Sequence, residues 1–232
     1  MEGDGNELIF CRCFSSFARC YGAFNISLIT DLPLFIDPFL LFHSDKKEYR
    51  QLHDHMISYL RFLKEKSERG RVSPGLLKSL YCFSEVRQDW LGFCKTGNTG
   101  RGLGSKFAAV LDVNLVHVFR NFGEERITKG SHLEKLCLIE SGVGRDMISD
   151  FSTNLIKHYL LGYTEAFARE YIDSSLTLRV SVGRSVFDHS LEGWIPQQYQ
   201  LPYYEGDYVV LTPKNIPSKR SWIAFWDSFW YK

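Results

Sequence analysis

The stretch ESGVGRDMISD, residues 140–150, concentrates acidic side chains around two glycines. Glu140, Asp146 and Asp150 place three carboxylates within eleven residues. Carboxylate oxygens are the ligands that Mg²⁺ prefers, and a water bound to the metal can act as a nucleophile. The same residues also have a structural explanation, in which Gly142 ends one helix and the acids occupy the start of the next. The pattern therefore leaves a metal site and a pair of helix ends as alternatives.

Two residues outside this stretch extend the predicted site. Asp37 lies within the apolar segment LPLFIDPFLLF, residues 32–42, where a carboxylate is costly unless it is paired, hydrogen-bonded or bound to metal. It can instead accept backbone hydrogen bonds at the turn that Pro38 creates. Lys214 ends the segment DYVVLTPK, where it is either an exposed lysine at a strand end or a residue that stabilises charge on a phosphate. We predict Mg²⁺ as the cofactor, with metal ligands Asp37, Glu140, Asp146 and Asp150 and catalytic residues Asp146, Asp150, Glu140 and Lys214.

The glycine-rich segment KTGNTGRGLGSK, residues 95–106, precedes a predicted helix. Backbone amides, a helix N-terminus and cations can together hold a phosphate. The segment is neither a Walker A loop, because Leu103 follows Gly102, nor G-x-G-x-x-G, because Ser105 takes the last glycine position. A flexible surface loop is the alternative. The predicted phosphate contacts are Lys95, Gly100, Arg101, Gly102 and Lys106.

Other common chemistries have little support in the sequence. The seven histidines do not form H-E-x-x-H or another ligand spacing, and no G-x-S-x-G motif is present. The six cysteines contain no C-x-x-C pair, so we expect reduced thiols. A zinc site built from Cys11, Cys13 and Cys20 would need a fourth ligand.

Hydrophobic periodicity predicts the elements that position the first set of candidate residues. Two prolines in the apolar segment 32–42 favour a short buried strand or an extended conformation. Apolar residues at three- and four-residue steps predict an amphipathic helix over 45–67, with Gly70 as its end. Ser73 followed by Pro74 matches the N-cap and first position of a short helix.

The remaining elements follow from the same patterns. Residues 107–118 keep helical spacing, although 113–119 also fits a strand. A capping box, S-x-x-E, opens a predicted helix over 131–141. Asp146 or Ser149 is expected to cap the next helix, which runs to about residue 171 and buries a broad apolar face. Short β-like pieces follow at 176–182 and 207–211.

Composition limits the class of protein. With 232 residues, 44% of them hydrophobic, the chain can bury a core without disulfides or metal. Its net charge of +1 gives no overall attraction to nucleic acid or an anionic membrane, so any basic site must be local. Since no apolar run reaches the roughly 20 residues of a membrane helix, we expect a cytoplasmic protein.

The elements together predict an α+β (mixed α/β) protein. We expect a single domain over residues 32–216, with a helical centre and a small C-terminal sheet. Residues 1–31 form an N-terminal extension of unknown role. Residues 217–232 form an aromatic-rich tail, which we expect to be a truncated end.

The segments LPLFIDPFLLF, GNTGRGLG, GVGRDMISDFSTNLI and DYVVLTPK resemble a group of uncharacterised bacterial proteins that carry the same phrases. The resemblance covers most of residues 32–216. It implies a bacterial intracellular protein and assigns no catalytic residue.

A looser similarity is to nucleases of the PD-(D/E)xK type, in which acids on and beside a short strand hold Mg²⁺ and a lysine follows. That similarity implies the first acidic role for Asp146 or Asp150. The chain departs from the pattern because no D/E-x-K triplet follows Asp150 on a convincing strand. The leading hypothesis is a Mg²⁺-dependent nuclease or related phosphodiester-acting protein that contacts a nucleic-acid backbone. The alternative is a non-catalytic module of a bacterial defence or regulatory assembly that binds a protein partner.

Overall fold

The computed structural model describes residues 18, 20–26, 28, 31–92, 104–118 and 145–218. Its helices precede a three-stranded antiparallel sheet near the C-terminal end of the described chain. The predicted α+β class, with a helical centre and a small C-terminal sheet, is confirmed. Among the described helices, none has the length and apolar character needed to cross a membrane.

The described residues cluster into two compact units that do not follow chain order. The helical unit contains residues 35–86, 104–118, 145–156 and 218. The sheet unit contains the described residues up to 34, together with 87–92 and 157–217.

The helical unit begins with β1, Phe35–Ile36, and α1, Pro38–Phe42. The expectation that segment 32–42 is strand or extended chain is therefore wrong for its second half. Asp37 has extended backbone and caps α1, and Pro38 occupies the first helical turn. Proline suits this position because its fixed φ matches a helix and its missing N–H has no intrahelical role there.

The long predicted amphipathic helix is α2, Lys47–Glu68. Its buried face includes Tyr49, Met56, Leu60 and Leu63, each at most 1% exposed. Gly70 follows with a φ of +123°, a conformation that side chains rarely adopt, so the predicted end of the helix is confirmed.

A short helix, α3, spans Pro74–Leu76 and continues as a π-helical turn over Leu77–Tyr81. Ser73 caps α3 by accepting a hydrogen bond from the Leu76 N–H, as predicted. The Tyr81 hydroxyl donates to the Leu63 carbonyl over 2.8 Å. This bond fixes the π-helical turn against α2.

The helix α4, Ser105–Val118, settles the choice between helix and strand in this region. Leu111 and Leu115 are fully buried, whereas Val113 is 66% exposed. This spacing puts Leu111 and Leu115 on one helical face.

The helix α5, Arg145–Tyr171, contributes residues 145–156 to the helical unit and 157–171 to the sheet unit. Because it begins at Arg145, Asp146 and Ser149 lie within the helix, and the expectation that one of them is the N-cap is wrong. Phe151, Ile156, Leu160 and Phe167 are fully buried, as the predicted apolar face requires. The helix predicted over 131–141 lies outside the described residues.

The sheet consists of β2, Thr177–Asp188, β3, Gly193–Tyr204, and β4, Asp207–Tyr208, in that order. The prediction missed β3 because its two prolines, Pro196 and Pro202, argue against a strand. Pro196 is tolerated since it falls where the register shifts between Val182 and Val186 of β2. Short 3-10 turns span Arg87–Asp89 and Ser174–Leu176, and β5 spans Pro217–Ser218.

Candidate functional site

The Asp37 carboxylate is buried, at 1% exposure, and part of its role is structural. Its Oδ1 accepts a hydrogen bond from the Phe39 N–H over 3.0 Å, which is an N-cap of α1. A carboxylate in this position satisfies one of the backbone N–H groups that a helix leaves unpaired. The turn expected at Pro38 is thus a helix start.

A second hydrogen bond joins the Asp37 segment to α5. The Ile36 N–H donates to the Ser149 Oγ over 2.8 Å, and both groups are buried. Asp37 directly follows Ile36, and Asp150 directly follows Ser149. Two of the four predicted metal ligands therefore lie on neighbouring segments of the helical unit, although Ile36 and Ser149 are 113 residues apart in sequence.

The turn of α5 that carries Asp150 is held by Asn154. Its Nδ2 donates to the Ser84 carbonyl over 2.7 Å and to the Asp150 carbonyl over 2.8 Å. Asn154 is 4% exposed, so these bonds satisfy an amide that water barely reaches. The loop at Ser84 and β1 thus both hydrogen-bond to the N-terminal part of α5.

The other predicted residues are only partly located. Asp146 and Lys106 lie in the first turns of α5 and α4. Lys214 belongs to the sheet unit, is exposed, and donates its backbone N–H to the Gly22 carbonyl over 3.0 Å. The remaining predicted residues lie outside the described chain: Lys95, Gly100, Arg101, Gly102 and Glu140. Within the part of the chain that the structure describes, no three His, Cys, Asp or Glu side chains form a group able to hold a metal ion.

A cavity of about 420 Å³ in the helical unit has a basic lining. It lies where α2 ends and α3 begins, and its charged lining residues are Lys66, Arg69 and Arg71, with Ser73 beside them. No acidic side chain is among the described residues that line it. Three cations and a hydroxyl around one concave surface suit an anionic group, because guanidinium and ammonium groups pair with phosphate oxygens.

The sheet unit contains a buried charged group around Lys157. Lys157 lies in α5 and is 8% exposed, and Asp89, in the Arg87–Asp89 turn, is 3% exposed. Burial lowers the pKa of Lys157, and the positive charge of Arg184 lowers it further, while Asp89 acts in the opposite direction.

Arg184 lies at an irregular point of β2. It has a φ of +52° within the stretch where the β2–β3 register shifts. Its guanidinium lies over the Trp194 ring, with Cζ 5.3 Å from the ring centroid. A positive φ at a non-glycine residue is strained, and such strain occurs frequently at functional sites.

Comparison with protein-family models places the chain in one family. The model described as a domain of unknown function, DUF8370, matches residues 15–224. The chain belongs to the DUF8370 family. No curated protein and no solved structure gives a significant match.

The family match agrees with the predicted membership of an uncharacterised group. Because the description of DUF8370 assigns no site residues, the candidate site of this member has to be argued from the structure. Sequence reasoning missed Lys157, although a signal was present. Between Asp150 and Glu165 it is the only Asp, Glu, Lys or Arg, and it sits among the apolar residues of α5. The basic cavity also had a signal, since Lys66, Arg69 and Arg71 follow one another closely where α2 ends.

Proposed function

We propose that the chain is a phosphodiester-acting protein that uses a divalent metal ion such as Mg²⁺ and binds the backbone of a nucleic acid. The observation that carries the proposal is the 2.8 Å hydrogen bond between Ile36 N–H and Ser149 Oγ. It brings the segment of a buried acid, Asp37, to the helix turn that precedes Asp150. Ligands of one ion must lie within a few Å of a shared point, so such neighbouring segments are a precondition for the site.

The basic cavity supports the choice of substrate. It belongs to the helical unit, as do Asp37 and Asp150. Phosphate groups along a nucleic-acid backbone bind to Lys and Arg side chains largely without regard to base sequence. A cavity lined by Lys66, Arg69 and Arg71 accordingly suits a backbone phosphate rather than a base edge.

Each residue then has a role in the proposed reaction. Asp37 and Asp150, together with Asp146 and Glu140, supply carboxylate oxygens for the ion. A bound Mg²⁺ would lower the pKa of a coordinated water and neutralise charge on the phosphate oxygens. The cations of the cavity hold the backbone in place, which lowers the entropic cost of reaching the reactive arrangement.

A thermal melt with and without millimolar Mg²⁺ or Mn²⁺ tests the metal site. An ion that binds only the folded chain raises the melting temperature. The intact chain should show this rise, and both Asp146→Ala and Asp37→Asn should lose it. Asp54→Ala is the matched control, because Asp54 is an exposed acid on α2 of the same unit. An intact chain without a metal-dependent shift would show that the proposal is wrong.

Binding of a single-stranded oligonucleotide tests the basic cavity. Arg69→Gln together with Arg71→Gln should weaken binding and reduce the slope of log affinity against log salt by about 0.7 for each phosphate that is no longer neutralised. Arg61→Gln, at an exposed arginine of α2 that does not line the cavity, should leave both quantities unchanged. Equally weakened binding in the two proteins would contradict a role for the cavity.

A second candidate function is a non-catalytic module that binds a protein partner. The observation that favours it is the N-cap bond of Asp37 to Phe39, since a capping role explains the buried acid without a metal. The variant Asp37→Asn separates the two functions because asparagine caps a helix as well as aspartate but carries no charge. If the chain is such a module, the variant should melt close to the intact chain, and metal should affect neither protein.

A further inference from the structure

The cavity at the end of α2 has a basic side and an apolar side. The basic side consists of Lys66, Arg69 and Arg71. The apolar side consists of Val72, Leu76 and Leu80, and the Leu76 side chain is 47% exposed. At about 420 Å³ the cavity lies within the range of about 300 to 1,000 Å³ in which proteins hold small ligands, so it has room for more than a phosphate group alone.

The turn after α2 places two arginines around this cavity. Gly70 has a φ of +123°, with which the chain leaves α2 between Arg69 and Arg71, and both arginines line the cavity. Glu68, the acid that precedes Arg69 in sequence, forms an ion pair with Lys64 over 3.6 Å and does not line the cavity. The nearest acid in sequence therefore pairs along α2, and the cavity lining stays cationic.

Lys66 and Ser73 complete the polar lining. The Lys66 Nζ lies over the Phe62 ring, 5.3 Å from its centroid, and this contact restricts where the ammonium can lie. The Ser73 Oγ accepts the Leu76 N–H over 3.4 Å, so its own proton is available to donate to a ligand. The lining thus provides three cations and a hydroxyl donor for one anionic group.

The charge and the shape of the lining distinguish a terminal phosphate from an internal one. A phosphodiester within a strand carries one negative charge, and the strand has to leave the cavity in two directions. A terminal phosphate carries a charge of about −1.5 to −2 at pH 7, has three acceptor oxygens and is attached on one side only. Three cations around one cavity suit the terminal phosphate better. The attached sugar and base then cover the exposed Leu76 and remove its apolar surface from water.

We propose that this cavity binds the terminal phosphate of a nucleotide, with the attached sugar and base against Leu76. The inference rests on the proposed function, because it narrows binding of a nucleic-acid backbone to binding of a strand end. Such a site directs the protein to the ends of a strand rather than to its internal positions. The 5′ end of a strand, the 3′ end and a free mononucleotide all carry this phosphate group, and the experiment distinguishes these three sources.

The test is a calorimetric titration of the full chain with a chelator present, so that a bound strand is not cleaved. The probes are one short single-stranded oligonucleotide with a 5′-phosphate, with a 3′-phosphate and with neither, together with a mononucleotide. A terminal phosphate should strengthen binding by about tenfold or more, as expected from additional charge-assisted hydrogen bonds. The phosphorylated strand that gains affinity identifies the end that is bound, and binding of the mononucleotide alone identifies a free nucleotide.

Two sets of variants locate the binding. Arg69→Gln together with Arg71→Gln should abolish the difference in affinity between the phosphorylated and unphosphorylated strands, whereas Arg61→Gln, outside the lining, should keep it. Leu76→Ala should weaken binding of the mononucleotide severalfold and leave binding of inorganic phosphate unchanged, because only the sugar and base contact Leu76. Val113→Ala is the matched control, since Val113 is 66% exposed on α4 and does not line the cavity.

The outcomes separate this inference from the proposed function. Equal affinity for the phosphorylated and unphosphorylated strands overturns the inference and leaves binding of a nucleic-acid backbone intact. Absence of binding by every probe contradicts nucleic-acid binding itself, and the inference with it. These comparisons use the intact chain, so they hold even if a variant does not fold. A phosphate effect that survives the double arginine variant, or that falls equally in Arg61→Gln, contradicts the assigned cavity.

Discussion

For several residues of this chain, the sequence allows either a structural role or a chemical role, and the structure shows which contacts the side chain makes. The sequence allows Asp37 to be either a metal ligand or an acid that accepts backbone hydrogen bonds at a turn. The hydrogen bond that its carboxylate accepts from the Phe39 N–H shows the capping role directly. Lys157 is a buried lysine of α5, and its burial lowers its pKa. Burial of a charged side chain is therefore not enough to assign a chemical role, because its structural partners have to be known first.

Ser149→Ala should lower the free energy of unfolding by about 1 to 3 kcal/mol. The change leaves the buried Ile36 N–H without its acceptor, and a buried unsatisfied donor costs an amount of this order. Urea denaturation of the two proteins measures the difference. Ser79→Ala, at an exposed serine whose hydroxyl donates to the Leu76 carbonyl, is the control and should stay within about 0.5 kcal/mol of the intact chain. Equal stability of Ser149→Ala and the intact chain would contradict the tie between β1 and α5.

At the scale of elements, α5 contributes residues to both units. Its first turns carry Asp146 and Asp150 in the helical unit, and Lys157 begins its portion of the sheet unit. The helix is long because buried residues recur through it, from Ile148 to Phe167. Such continuous burial explains why polar residues such as Asn154 have specific partners.

Gly162→Ala should stabilise the chain by about 0.5 to 1 kcal/mol. Gly162 is an exposed residue inside α5, and a Cβ there would meet no atom within 4 Å. Alanine reduces the conformational freedom of the unfolded chain and favours the helix. Gly70→Ala is the contrasting change, since a φ of +123° is strained for alanine, and it should destabilise. Thermal or urea melts that show the same sign for both variants would contradict this explanation.

Thr164→Val should destabilise the sheet unit by about 1 to 3 kcal/mol. The Thr164 Oγ1 donates to the Leu160 carbonyl over 2.7 Å and accepts from the Leu211 N–H over 2.8 Å, in a fully buried position. Valine has the same shape but leaves the Leu211 N–H unsatisfied. Urea denaturation measures the loss, and Thr177→Val, at a half-buried residue that starts β2, should cost less. A similar loss in both variants would show that the Leu211 bond has no special weight.

At the scale of the whole molecule, buried tyrosines in both units make folding sensitive to high pH. Burial raises the pKa of Tyr81 in the helical unit to about 12, and burial also raises the pKa of Tyr208 in the sheet unit to about 12. Nearby carboxylates, Asp112 and Asp207, act in the same direction. An unfolded tyrosine has a pKa of 10.0, so the folded chain holds these two protons to higher pH.

Stability should therefore fall as the pH rises from 10 toward 12. In that range the unfolded chain binds fewer protons than the folded chain, so the free energy of unfolding decreases with pH, and the contribution is fully present below pH 10. Tyr81→Phe and Tyr208→Phe should each make this decrease less steep. Urea melts across the range measure the slope. Tyr203→Phe, at a partly exposed tyrosine, is the control, and an equal change of slope in all three variants would contradict the assignment.

Sequence alone determined most of the helices of this protein. The periodicity of Leu60 and Leu63 in α2, the Ser73–Pro74 cap and the stop at Gly70 are local patterns, and local patterns fix helices because the relevant contacts are three or four residues apart. The same reasoning failed at α1 and β3, where prolines argued against the elements that form. Pro38 lies at a helix start and Pro196 lies at a bulge, and both positions tolerate a residue without an N–H.

Only the tertiary structure decided which distant residues share a site. Ile36 and Ser149 meet across 113 residues, and no short-range pattern records that bond. The segments of Asp37 and Asp150 became neighbours through it, while Lys214 belongs to the other unit. Lys157 carried a signal in sequence as a lone charge in an apolar stretch, but only the folded chain shows that it is buried. A local sequence pattern specifies the backbone hydrogen bonds and the apolar face of one segment only. Which segments become neighbours, and so which residues share a site, depends on how those faces pack in the folded chain.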